Sequence, residues 1–144
     1  MEAKRFRPLV DRLYWIILIF TSAVMIGLTV PSVLAPVALW IVIPVDVLVY
    51  YFLISPLFGY VELRENTVFI KFGFILKREI PYQKIRGTVK ERKLYSESMV
   101  SLKNAIEHVN IKYNVFDIVT VSVIDNDKFI DDLKAHLISA ARVD

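Results

Sequence analysis

The chain has 144 residues, 56% of them hydrophobic, with a mean hydropathy of +0.50 and a net charge of +3. It contains no cysteine, which excludes a disulfide framework, a cysteine-based zinc site and a thiol nucleophile. The mild basicity does not call for nucleic acid, because a chain this apolar has an anionic membrane surface closer at hand.

Lys4, Arg5, Arg7 and Arg12 precede a long apolar stretch, and from Leu13 to Val61 only Asp46 is charged. Such a run exceeds both the core of a small domain and the apolar region of a cleaved signal peptide, so it reads as a retained anchor. Leu13–Val30 is one span of about 27 Å as a helix, the segment between Pro31 and Pro36 is a turn, and Val37–Ile54 is a second span. Four cations before the first span and none in the turn place both termini in the cytosol and the turn outside. The expected organisation is a basic cytosolic N-terminus over 1–12, a two-helix transmembrane hairpin over 13–56 and a cytosolic domain over 57–144. The chain is then multi-pass in the inner (cell) membrane.

Asp46 breaks the apolar pattern. An ionisable group near mid-bilayer costs several kcal/mol unless it is paired or neutral. Counted back from the turn, Thr21 and Ser22 share its expected depth and are its candidate hydrogen-bond partners. The group serves either as an interhelical clasp or dimer contact, or as an intramembrane proton or ligand site.

From Tyr60 the periodicity changes to alternation. YVELREN and TVFIKFG read as two strands joined at Glu65–Asn66, and FILKREI as a third, broken by Pro81. In the stretch from Gln83 to Lys93, the residues Lys84, Arg86, Lys90 and Arg92 share one parity, which on a strand puts four cations in a row. Residues 64–93 carry nine Lys/Arg against three Asp/Glu, whereas 94–144 carry five against eight. The basic row is the candidate ligand-binding face, for membrane lipids above all; a plain solvated strand face is the competing reading. Tyr95 to Lys103 reads as a loop leading into a further strand, and VNIKYN and DIVTVSVI as two more. Asp125 is a helix N-cap, followed by an amphipathic helix with Phe129, Leu133 and Leu137 at i, i+4 and i+8, and Ile130 and Ile138 beside them.

No nucleotide-binding loop, metalloprotease motif or nucleophile elbow is present, and His108 and His136 stand apart in sequence. No enzyme activity, catalytic residue, metal site or cofactor is therefore expected.

The I-P-Y-x-x-I pattern at Ile80, Pro81, Tyr82 and Ile85, the V-N-I-K-Y strand at Val109–Tyr113, and the acidic cap followed by Phe129, Ile130 and Leu133 resemble the YyaB-like bacterial PH-domain proteins over roughly residues 58–140. Ser98, Ser101, Glu107 and His108 depart from the Ser-rich stretch with an Asp–Arg pair that relatives often carry. The resemblance implies a membrane α-helical hairpin plus an α+β domain, the latter a PH-like antiparallel β-barrel or sandwich capped by one C-terminal helix. The expected function is a non-catalytic module that binds lipid headgroups, a peptide or a membrane protein at the inner leaflet. Bacteriocin immunity, with a peptide toxin as partner, and envelope stress are the associated roles. The alternative is an accessory subunit of a membrane transport or enzyme complex that uses Asp46.

Overall fold

The computed structural model describes residues 3–98 and 101–142. Helix α1 spans Arg12–Ser32, and its N-cap Asp11 accepts a hydrogen bond from the Arg12 amide at 2.6 Å. Helix α2 spans Pro36–Ile54 with Pro36 at its first position, where a missing amide hydrogen is harmless. Both are long and apolar enough to cross a membrane, and neither buries a residue inside the protein. Ile16, Phe20, Ile26, Trp40 and Ile41 all point outward. A helix that is apolar all round and covered by nothing is suited to a hydrocarbon surrounding rather than to a soluble core.

The remaining elements form two four-stranded sheets and one helix. Strands β1 (Lys4–Phe6), β2 (Tyr60–Leu63), β3 (Thr67–Lys71) and β4 (Lys77–Pro81) lie antiparallel in chain order. Strand β1 corrects the expected boundary at residue 12. The N-terminal segment is an edge strand of the domain, with Phe6 opposite Val61 and Arg5 opposite Glu62. Three residues carry too little periodicity to announce a strand, and the pairing partner lies more than fifty residues away. The third expected strand is also shorter than its alternation suggests: Gly73–Leu76 is the β3–β4 hairpin loop, and pairing resumes at Lys77.

Strands β5 (Ile85–Arg92), β6 (Ser101–Leu102), β7 (Glu107–Tyr113) and β8 (Asp117–Val121) make the second sheet in the order β5-β7-β8-β6, with β6 parallel to β8. Helix α3 (Asn126–Ala141) closes the sandwich, and its cap Asp125 accepts from the Lys128 amide at 3.0 Å. The core joins Val61, Leu63, Val68 and Ile70 of the first sheet to Val109, Ile111, Val119 and Val121 of the second, with Phe129 and Leu133 inserted from α3. Leu137 is partly buried against this core, but Ile138, one step further around the helix, is exposed.

Five residues separate β1 from α1, and five separate α2 from β2. Both connections are tied down. The Leu9 amide donates to the Ser122 carbonyl at 3.0 Å, and the Asp11 amide to the Asn104 carbonyl at 2.9 Å. The Tyr14 hydroxyl donates to the Leu53 carbonyl across the helix pair, and the Phe74 amide donates to the buried Ser55 hydroxyl at 3.1 Å. The helices and the sandwich are thus joined by backbone contacts rather than by a slack linker.

Candidate functional site

The four cations of the expected basic row do not form one row. Lys84 lies in the single 3-10 turn Tyr82–Lys84 before β5, and the β5–β7 register shifts between Ile85 and Gly87. That irregularity inserts an extra residue and breaks the parity on which the row depended. Arg86 donates to the Val115 carbonyl at 3.3 Å, at the β7–β8 turn. Lys90 reaches Asp127 at 2.9 Å and Glu107 at 3.2 Å, tying β5 to the first turn of α3. These hydrogen bonds, the one to Asp127 foremost, raise its ammonium pKa. Lys90 is therefore committed within the domain, and Arg92, exposed on β5, stands apart from Lys84.

A concave polar site lies at the seam between the sheets. Arg78, Glu79, Ile80 and Pro81 of β4, Lys84, and Tyr113, Asn114 and Asp117 at the β7–β8 turn line a cleft of about 290 Å³. Arg78 shares the parity of buried Ile80, so it is turned toward the second sheet, where its guanidinium donates to the Tyr113 hydroxyl. The Lys84 carbonyl accepts from the Asn114 amide at 2.9 Å, while its ammonium has neither an ion pair nor a side-chain hydrogen bond among the described residues. Asn114 holds the turn with a φ of 50°, and its side-chain amide donates to Asp117 at 2.7 Å. The wall opposite Arg78 is thereby fixed. Glu79 is held by the Thr67 hydroxyl at 2.7 Å and by Arg64, contacts that lower its carboxyl pKa. The cleft thus presents one oriented guanidinium and one unpaired ammonium, a set suited to a small anionic group. The sequence carried a usable signal for Arg78 in its i, i+2 relation to Ile80.

Asp46 has a partner on the facing helix, but neither Thr21 nor Ser22. The Thr29 hydroxyl lies 2.7 Å from Asp46 Oδ2 and 2.8 Å from the Met25 carbonyl, with one hydrogen to share between them. Counting residues from the turn misjudged the depth. That count assumes two straight helices in mirror register, and Pro31 inside α1 and Pro44 inside α2 remove its basis. Asp46 Oδ1 is buried without a hydrogen-bond partner among the described residues.

Both histidines are internal. His108 is fully buried, with Nδ1 2.9 Å from the Ile106 carbonyl and Nε2 4.0 Å from Glu91. Beside it the Thr120 hydroxyl donates to Asn110, and Asn110 donates in turn to Glu91. This polar ladder lies on the outer face of the second sheet, where the loop after β5 is clasped by Lys103 donating to the Lys93 and Tyr95 carbonyls. His136 Nδ1 meets the Asp132 carbonyl at 2.8 Å on its own helix. Among the described residues no group of three or more His, Cys, Asp or Glu is arranged to hold a metal ion.

No curated protein matches the chain. Among solved structures, the C-terminal domain of an unknown protein from Leishmania infantum is similar at 14% identity and a TM-score of 0.41, over 56% of this chain and 68% of that one. The family model for the bacterial PH domain matches residues 59–137, from the glycine before β2 into α3. With more than half of its length matched, this chain belongs to the bacterial PH domain family.

Proposed function

We propose that the chain is a non-catalytic binding module of the YyaB-like kind, anchored in the inner membrane by α1 and α2 with both termini in the cytosol. Its Arg78–Lys84 cleft takes an acidic group. One observation carries the reading: an oriented guanidinium and an unpaired ammonium share a concave site beside a rigid turn. The short connections at Arg7–Asp11 and Ser55–Gly59 keep that cleft near the bilayer, which favours a lipid headgroup over an acidic stretch of a peptide or membrane protein. Self-protection against a membrane-active peptide toxin is a specific form of the same reading.

The test uses the detergent-solubilised full chain, titrated with glycerol phosphate while arginine and lysine side-chain resonances are followed. Arg78 and Lys84 should shift saturably, and the double variant R78Q/K84Q should lose the response while keeping its fold. Equal shifts at all exposed cations, or an unchanged response in the variant, would remove the cleft as the site. Single cysteines at Ser32 and Ser139, treated with an impermeant maleimide on intact cells, test orientation. Labelling at 139 and not at 32 would reverse it.

Asp46 supports a second reading, in which the chain is an accessory subunit of a membrane complex. Its Oδ1 is buried and unpartnered on a helix that is otherwise apolar. This reading requires Asp46→Asn to abolish function with the cleft intact, whereas the headgroup reading tolerates that change.

A further inference from the structure

We infer that the β3–β4 hairpin tip, Phe74-Ile75-Leu76, is a third membrane contact, inserted into the headgroup–acyl boundary beside the domain-side end of α2. The inference rests on the membrane-anchored reading above and adds a lipid-facing element from the folded domain itself.

Hairpin loops favour glycine, asparagine, aspartate and serine, because these tolerate the backbone and face water. Here Gly73 makes the turn, and three large apolar residues follow in succession, 48%, 74% and 57% exposed. Their position is fixed by α2. The Phe74 amide bonds to Ser55, and the Phe74 ring lies 5.9 Å from that of Tyr51 and 4.9 Å from that of Phe58. Leu76 shares a crevice with Ile17 of α1 and Phe52 of α2. The apolar tip therefore continues the outward-facing apolar surface of the helices, on which Phe52 and Ile54 are themselves exposed. A similar feature adjoins α1, where exposed Leu94 lines a cleft with Leu13 and Ile17.

The base of the hairpin points to the same occupant. Lys71 and Lys77 are direct cross-strand partners and so share one face, an arrangement unfavourable in water. Neither has an ion pair within 4.0 Å among the described residues. Two cations under an apolar tip match an anionic headgroup layer above hydrocarbon, as in interfacial membrane elements. A protein partner would satisfy the apolar tip but would need its own acidic group opposite the lysine pair.

The cysteine-free chain allows the test to be made on the full protein. Spin labels are placed singly at Ile75→Cys, Phe20→Cys and Glu65→Cys in vesicles of phosphatidylcholine and phosphatidylglycerol. Relative accessibility to oxygen and to a water-soluble nickel chelate then reports depth. The label at 20 should be deep, that at 65 aqueous, and that at 75 oxygen-accessible at a depth of about 5–10 Å below the headgroups. A deep label at 20 with an aqueous label at 75 would overturn the insertion and leave the anchor standing. A label at 75 shielded from both reagents would mean a protein occupant and would also overturn it. An aqueous label at 20 would overturn the anchor and this inference together.

Discussion

The ring of Phe129 in α3 stands edge-on to that of Phe6 in β1, with centroids 5.2 Å apart and planes at 74°. Phe6 lies before α1 and Phe129 beyond the last strand, so the sandwich is closed by segments from either side of the helix pair and the sheets. Phe6→Ala should destabilise the folded domain by about 3 kcal/mol, the range of a buried aromatic truncation. Chemical denaturation of the full chain in detergent checks this. A fragment starting at residue 57 lacks β1 and should be less stable still; fusing residues 3–11 in front of it should restore a cooperative transition.

Thr29 and Asp46 are joined across the two helices by a side-chain hydrogen bond of 2.7 Å. Thr29→Val should cost about 0.5–1.5 kcal/mol, as interhelical hydrogen bonds do within a bilayer. Thr21→Val and Ser22→Ala should cost nothing measurable. Asp46→Asn should be tolerated and Asp46→Lys should not, since lysine would carry a cation to the same depth. Thermal unfolding in nanodiscs ranks the variants, and an effect at Thr21 equal to that at Thr29 would contradict the pairing.

Glu62 sits between Arg64 at 2.8 Å and Arg5 at 3.0 Å. The hydrogen bond from Arg64 is the largest cause of its lowered carboxyl pKa, and Arg5 adds to it. A carboxyl with a depressed folded-state pKa stabilises the fold above its unfolded value of about 4.3. That contribution is lost as pH falls through the folded value. Glu62→Gln should therefore flatten the fall in stability below about pH 4.3 and lower stability modestly at neutral pH. A denaturation series across acid pH measures the slope, and an unchanged slope would refute the linkage.

Gly73 has a φ of 151°, and a Cβ there would lie 1.9 Å from the Ser55 hydroxyl oxygen. Gly73→Ala should break the seat of the hairpin on α2 and cost about 1–3 kcal/mol through strain and displacement. Ser55→Ala should cost less, because it removes only the hydrogen bond to Phe74. In Gly73→Ala, a spin label at position 75 should become more mobile than in the parent; equal mobility would show that the seat does not depend on the glycine.

Run length, alternation and capping are local properties, and they were legible in the chain. Forty-nine residues from Leu13 to Val61 with one charge specify two apolar helices, whatever the rest does. The alternation at Tyr60–Leu63 and Thr67–Lys71 marks strands, and Asp125 followed by Phe129 and Leu133 marks the last helix and its buried face. What joins distant segments depends on register, which no local window contains. Lys4–Phe6 becomes a strand only because β2 offers an edge and α3 a place for Phe6. The basic row dissolves because one irregularity at Ile85–Gly87 shifts every later side chain, and because Lys90 finds two carboxylates from other elements. Arg78 gains a direction only when Tyr113 meets it, and Asp46 meets Thr29 because the axial register of two proline-containing helices is not given by a residue count from the turn. The sequence alone determined which segments are apolar, extended or helical, since those preferences are summed over neighbours. Only the tertiary structure decided which polar groups meet, because an ion pair or hydrogen bond is settled by distances of a few ångströms between residues far apart in the chain.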